Sequence, residues 1–301
     1  MTKNIFESDD VKRLLLIDAH NSIFRTIAVA ESETTKKGIL DLSYTYWKHL
    51  YLTMMLNQLK KFKAEKMVMA IDSKNVWRRD IYPLYKANRK ANRDKSTIDF
   101  EKFFPVLEEY LTDLKDVFSP IIFAKIERCE GDDIIASIVQ NDRQSQITMV
   151  STDKDLNQLL KYKNVKQFDP IKKLFVQSLN PDVDLQKKII MGDRGDNIPA
   201  IKSRIGKKTA ASIITEGTLD DLLNDIDTGE DVQKNLVRNT QLIDLSYIPK
   251  DIQTKVTDFI NSYPIKSIDG KNLFEFAVKH RLSNIIDDIQ NIKNTVGVLN
   301  G

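Results

Sequence analysis

Leu14-Leu15-Leu16-Ile17-Asp18 is an unbroken apolar run that stops at an acid, and Met67-Val68-Met69-Ala70-Ile71-Asp72 repeats the pattern. Ile147-Thr148-Met149-Val150 stops just ahead of Ser151-Thr152-Asp153, and Ile121-Ile122-Phe123-Ala124 is a similar run a few residues before Glu130. Runs this short and this uniformly apolar suit strands covered on both faces, as in a parallel sheet. Between them, residues 42–62, 103–118 and 132–140 carry apolar side chains at helical spacing. Strand and helix in alternation predict an α/β fold with a mostly parallel central sheet and helices on both faces. In such sheets ligands bind outside the carboxyl ends of the strands. Right-handed crossovers would therefore bring Asp18, Asp72, Glu130 and Asp153 to one edge, although the sequence scatters them.

Beyond about residue 185 the texture changes. Residues 184–191, 209–214, 219–223 and 273–280 look like helices joined by polar turns, and Asn180-Pro181 punctuates the chain just before them. We expect an α/β catalytic domain over 1–183 and a smaller, all-helical module over 184–301. At 301 residues with 41% hydrophobic side chains, the chain can bury a real core, which excludes a disordered protein. The 46 basic and 43 acidic residues nearly cancel to +3, but the signs are segregated along the chain. That pattern suits a protein that grips a polyanion and holds cations at one spot. The single cysteine, Cys129, forms no internal disulfide, which fits a reducing compartment. No apolar run approaches the ~20 residues of a membrane helix, and Met1 to Asp10 has no signal-peptide core. A cytoplasmic monomer with no membrane partner is the expectation.

The acids carry the chemistry. Glu130-Gly-Asp132-Asp133 packs three carboxylates into four positions, Asp153-Lys-Asp155 adds two, and Asp193-Arg-Gly-Asp196 adds an i,i+3 pair. Each motif alone reads equally well as a helix N-terminal cap. Capping does not explain acids placed beyond several separate strands, because gathering them costs repulsion unless cations are present. Oxygen-rich sites of this kind suit Mg²⁺ or Mn²⁺. One cysteine and three scattered histidines (His20, His49 and His280) offer zinc no ligand set. Two metals about 4 Å apart would activate water and stabilise the leaving oxygen of a phosphodiester.

The cations are grouped as well. Lys74, Arg78, Arg79, Lys86, Arg89, Lys90, Arg93 and Lys95 fall within 22 residues, with Trp77, Tyr82 and Tyr85 interleaved. Basic groups hold phosphates and aromatic faces stack on unpaired bases, whereas a plain charged loop would not need the aromatics. Lys202, Arg204, Lys207 and Lys208 form a second group around Gly206, where the amides of a new helix would face an anion.

Four stretches together resemble the 5′-nuclease (flap endonuclease) superfamily, which includes the 5′-nuclease domain of bacterial DNA polymerase I and shares its acid-lined sheet with the PIN fold. They are Arg78-x4-Pro83-x-Tyr85-Lys86-x-x-Arg89, Glu130-x-Asp132-Asp133, Ser151-Thr152-Asp153-x-Asp155-Leu156 and Gly192-Asp193-x-x-Asp196-Asn197-Ile198-Pro199. The resemblance implies a first metal site of Asp18, Asp72, Glu130, Asp132, Asp133 and Asp153. It implies a second of Asp155, Asp193 and Asp196, with Asp132 or Asp153 shared. It implies two Mg²⁺ ions, for which Mn²⁺ can substitute. Residues 86–104 would form a helical arch, Lys86 and Arg89 at its base would steer the scissile phosphate, and Tyr85 would stack on the terminal base. Lys86, Arg89, Asp132 and Asp155 are the residues it casts as catalytic.

Nucleic acid would be held by Arg78, Arg79, Tyr85, Lys86, Arg89, Lys90 and Arg93. Lys202, Arg204, Gly206, Lys207 and Lys208 would add duplex contacts from a helix–hairpin–helix-like segment over 193–215. In the family this segment sometimes binds K⁺ and reads Gly-Val-x-Gly-Ile-Gly. Here Ala200 and Ser203-Arg204 replace two of those glycines. Non-glycine residues resist positive φ, so the turn is expected to differ and Lys/Arg contacts to carry the grip in place of K⁺. The implied activity is 5′→3′ exonuclease, flap endonuclease and RNase H cleavage on branched or nicked DNA and RNA–DNA duplexes, removing lagging-strand RNA primers in phage-type replication. A single-strand-binding protein or a sliding clamp is a candidate partner. The rival readings are a PIN-type single-strand ribonuclease and a non-catalytic DNA-binding relative.

Overall fold

In the computed structural model, which describes residues 11–35, 46–96 and 98–299, the apolar runs are strands of one sheet. β1 (Arg13–Asp18), β2 (Lys66–Ile71), β3 (Ile122–Lys125), β4 (Gln146–Val150), β5 (Val165–Asp169) and β6 (Leu174–Phe175) lie in the order β3-β2-β1-β4-β5-β6. Every pairing is parallel except β5 with β6. Opposite faces of each strand feed different cores, because side chains alternate along a strand. Leu15 and Ile17 enter one core and Leu14 and Leu16 the other. Both faces of β1 are therefore covered, which is why its sequence is continuously apolar.

Helices fill both sides. α1 (Ala19–Thr35), α2 (Tyr46–Phe62) and α5 (Phe100–Val117) pack on the first face. α6 (Gly131–Asn141) and the 3₁₀ turn Asp155–Lys161 pack on the second. The helical pattern read over 42–62 begins at Tyr46, and residues 42–45 lie outside those described. Two short helices, α3 (Arg78–Ile81) and α4 (Asn88–Arg93), lie between β2 and α5, within the basic segment. β5 was not legible as an apolar run because it carries Lys166 and Gln167, yet Gln167 is buried. Its amide donates to the carbonyls of Ser151 (3.1 Å) and Asp153 (2.7 Å), which ties β5 to the loop after β4.

From Pro181 onward the described chain is helical: α7 (Pro181–Met191), α8 (Lys207–Glu216), α9 (Leu219–Leu223), α10 (Gly229–Ile243), α11 (Lys250–Ser262), α12 (Gly270–Lys279), α13 (Ser283–Ile286) and α14 (Ile289–Val296). Asn180 caps α7 by accepting from the amide of Val183 at 3.1 Å, and Pro181 sits where a helix needs no donor. α7, α8 and α10 build one small core of their own, and α7 and α10 share a second with Val76 and Tyr85. α11 joins the second sheet core through Ile252 and Val256. α12 to α14 return to the first through Leu273, Phe276, Ile285, Ile292 and Val296. The C-terminal helices thus help to complete both faces of the sheet. No helix among the described residues is long and apolar enough to cross a membrane.

Leu273 is fully buried in the first core. Leu273→Ala should cost about 2–5 kcal/mol of unfolding free energy, the range for cavities cut into packed cores. Urea denaturation reads this, and a loss below about 1 kcal/mol would show that α12 does not seal the sheet.

Candidate metal and nucleic-acid site

Parallel register places the strand ends side by side. Asp18 is level with Ala70 on β2, and Ile17 with Val150 on β4, so Asp18, Asp72 and the Ser151–Asp155 loop share one edge. Asp18 accepts from the Asn21 amide and the Ser151 hydroxyl, each at 3.0 Å. Burial, then the nearby Asp72, pushes its pKa up to about 7. Asp72 accepts from the Gly131 amide at 2.7 Å, and its own amide donates to His20 Nδ1 at 3.1 Å. His20, to which the sequence assigned no role, therefore borders the site. Asp132 projects from the first turn of α6. Burial, then Asp153, Asp18 and Asp155, raises its pKa well above the usual range. Like Asp155, which feels Asp153 and Asp193, it senses acids from both expected sites.

The second group is tighter. One oxygen each from Asp155, Asp193 and Asp196 lies within 4.8 Å of the others. Gly192 makes this possible: with φ of 70°, it passes the carbonyls of Ile198 and Pro199 so closely that a Cβ would sit 2.4–2.5 Å from their oxygens. Asp193 and Ile198 then exchange backbone hydrogen bonds of 2.8 and 2.7 Å, closing the turn that carries Asp196.

A residue the sequence did not reveal lies among these acids. Lys188, on α7, donates to Asp155 and, at 2.7 Å, to Asp193. Burial opposes its charge, but the two carboxylates raise its pKa, and Asp155 is left at about 6 by burial, Lys188 and Asp153 in that order. A lysine on an amphipathic helix looks like a solvated one in sequence. Only its neighbour on a different element reveals it.

Three expected residues face elsewhere. Asp133, expected as a metal ligand, is fully buried, and its carboxylate accepts from Arg78 and Trp77 Nε1 and caps α6 through the Glu130 amide. Arg78, expected to touch nucleic acid, is 3% exposed, pairs with Glu130 at 3.0 Å and Asp133 at 2.8 Å, and donates to the Leu242 carbonyl at 2.9 Å. Tyr85, expected to stack on a base, has its ring in a core with Val76 and Ile189, and its hydroxyl donates to Glu130 at 2.8 Å. Sequence gives the charge or the ring but not its direction. The interior needed a counter-ion for Glu130 and Asp133, and Arg78 supplies it.

Glu130, expected as a metal ligand, instead has its carboxylate held by Lys86, Arg78 and Tyr85. Burial would raise its pKa, but Lys86 and Arg78 bring it down to about 2. Lys86 also approaches Asp196 at 3.7 Å, and Arg89 pairs with Asp196 at 2.8 Å. Both expected arch-base cations therefore stand at the cluster. Arg79, Lys90 and Arg93 are exposed on the arch side, with Arg93 over the Phe104 ring at 5.7 Å.

In the second basic segment, Gly206 caps α8, and Arg204, Lys207 and Lys208 are exposed. Lys202 instead bonds Thr228 at 3.0 Å and nears Asp225 at 3.6 Å. Arg204 itself takes the left-handed conformation, with φ of 65°, that the sequence was expected to avoid. The conformation costs about 1–2 kcal/mol in a non-glycine residue.

Residues 13–188 match the family model described as 5′–3′ exonuclease, N-terminal resolvase-like domain. Ribonuclease H of Enterobacteria phage T4 is 31% identical to this chain over 95% of it and 97% of the phage protein. DNA polymerase I of Streptococcus pneumoniae serotype 4 is 28% identical over 89% of this chain, which spans only 32% of the polymerase. A solved structure of bacteriophage T5 5′-exonuclease with divalent zinc superimposes with a TM-score of 0.63 at 23% identity, over 84% of this chain and 100% of that one. The T5 flap endonuclease in complex with DNA and metal ions superimposes at 0.61 and 21%, over 94% and 100%. These two structural likenesses establish the fold.

The titrations set a pH dependence in the absence of divalent ions. Asp18 and Asp155 hold their protons to about 7 and 6, whereas the unfolded chain releases them near 3.8. Between those values the folded state binds more protons, so stability should fall as pH rises from 5 to 7. Glu130, depressed to about 2, adds stability that is lost only below its unfolded value of 4.5. His280, lowered by burial, opposes the trend below pH 6.5 with a single proton. Thermal unfolding in EDTA at pH 5.5, 6.5 and 7.5 should show a falling Tm, and Mg²⁺ should flatten it. A Tm that rises with pH in EDTA would show that these acids are not crowded.

Proposed function

The chain belongs to the 5′–3′ exonuclease and flap endonuclease family, and from that premise we propose that it is a Mg²⁺-dependent nuclease cutting near the 5′ ends of branched or nicked DNA and of RNA–DNA duplexes. The observation that carries the reading is the oxygen cluster of Asp155, Asp193 and Asp196 beside Asp132. Carboxylates this close repel one another, and a divalent cation relieves that repulsion. The donor set therefore fits the group. Asp18, Asp72, Asp132 and Asp153 would hold one ion and Asp155, Asp193 and Asp196 the other, with Asp132 between them. When bound, the ions supply Lewis-acid activation of water and stabilise the leaving oxygen.

The chain's own residues do the rest. Lys86 and Arg89 stand at the edge of the cluster with charges that burial has not removed, and present donors to the scissile phosphate. Glu130, fixed as a carboxylate, orients Lys86. Arg78 and Asp133 form the buried floor that keeps Glu130 in place. Arg79, Lys90 and Arg93 would draw the 5′ strand toward the arch, and Lys207 and Lys208 at the start of α8 would grip the duplex backbone. Primer removal from lagging strands follows if RNA–DNA hybrids are cut as readily as flaps.

A PIN-type ribonuclease would use the same sheet, but the basic segment at α3–α4 and the helices from α7 onward have their natural use on a duplex with a threaded 5′ end. In Mg²⁺ the protein should cut 5′-flap and nicked RNA–DNA substrates and lose that activity in EDTA. Asp132→Ala should lower cleavage by about 10²–10³-fold while retaining DNA binding in a gel-shift assay. Cutting of single-stranded RNA alone would favour the PIN reading, and undiminished cleavage in EDTA would sink the metal mechanism.

A further inference from the structure

Lys86 has a left-handed backbone, with φ of 57°. For a lysine this is an unfavoured state, so surrounding contacts must hold it. Its amide donates to the Asp196 carbonyl at 2.9 Å, its carbonyl accepts from the Arg89 amide at 3.1 Å, and the preceding turn closes from the Ala87 amide to the Leu84 carbonyl at 3.1 Å. Asn197, next to Asp196, is also left-handed, with φ of 59°. From there its side-chain amide donates to the same Leu84 carbonyl at 2.8 Å. Asn88 makes the reverse connection, donating to the Arg194 carbonyl at 2.8 Å. Residues 84–88 and 194–197 are thereby laced together by three hydrogen bonds that involve no carboxylate.

We propose that Asn197 is a positioning residue: its bond to the Leu84 carbonyl fixes the turn that aims the Lys86 ammonium at Glu130 and Asp196. This rests on the nuclease reading, because Lys86 matters only if a phosphate is cut there. Asparagine suits the position on two counts. It enters the left-handed region more readily than other non-glycine residues, and it carries the donor that the Leu84 carbonyl receives. Asn197→Gly removes the donor and keeps the backbone freedom. Asn197→Asp keeps the shape and presents an acceptor where a donor is required.

Single-turnover cleavage of a 5′-flap in Mg²⁺ and flap binding in EDTA test this. Asn197→Gly should lower the cleavage rate about tenfold, the scale of one net hydrogen bond, with binding within about twofold. Asn197→Asp should fail to rescue it. In a Lys86→Ala background the glycine change should add less than about twofold, since the two residues act on one contact. A glycine variant that cuts at the wild-type rate overturns the proposal, as does an undiminished tenfold loss in the Lys86→Ala background. A wild-type protein that leaves the flap uncut overturns the nuclease reading and Asn197's positioning role with it.

Discussion

Crowded carboxylates at one edge of a sheet repel one another, and the rest of the molecule is arranged around that repulsion. Two like charges about 4 Å apart cost roughly 4 kcal/mol at the effective dielectric of a partly buried site. A whole domain is stable by only about 5–15 kcal/mol. Asp18, Asp132 and Asp155 retain their protons above the ordinary carboxylate range, through burial first and their acidic neighbours after it. Glu130 and Asp193 do the opposite, because Lys86, Arg78 and Lys188 outweigh their burial.

The counter-ions come from outside the sheet. Arg78 and Lys86 belong to the segment after β2, and Lys188 to α7. The acids thus draw the basic segment and the C-terminal helices onto this edge of the sheet. Hydrophobic packing does the same from the other side: α10 supplies Leu242 and Ile243 to the core that contains Tyr85, and the Leu242 carbonyl accepts from Arg78. One site therefore ties together three stretches of chain that are far apart in sequence.

Much of this was legible in sequence wherever a local rule applied. Asp18 and Asp72 could be placed because each ends a run whose uniform apolarity marks a strand buried on both faces. Asp132 could be placed because its motif follows a fourth apolar run, and capping does not explain acids gathered beyond several separate strands. β5 was hidden because Gln167 is buried to serve two carbonyls rather than to fill a core. Lys188 was hidden because helical periodicity reports which face a residue occupies and says nothing about which element that face meets.

Residue order was enough to place four strands of the sheet, the edge at which the acids collect and the family to which their spacing belongs, because strand burial and crossover handedness are properties of chain segments. The tertiary structure alone decided what each charged group does there. Arg78 and Tyr85 turned inward to satisfy Glu130 and Asp133, Asp133 left the cluster, and Lys188 entered it. The physical reason is that a buried charge must find its opposite within a few ångströms. Which opposite it finds depends on distances between elements that no local pattern encodes.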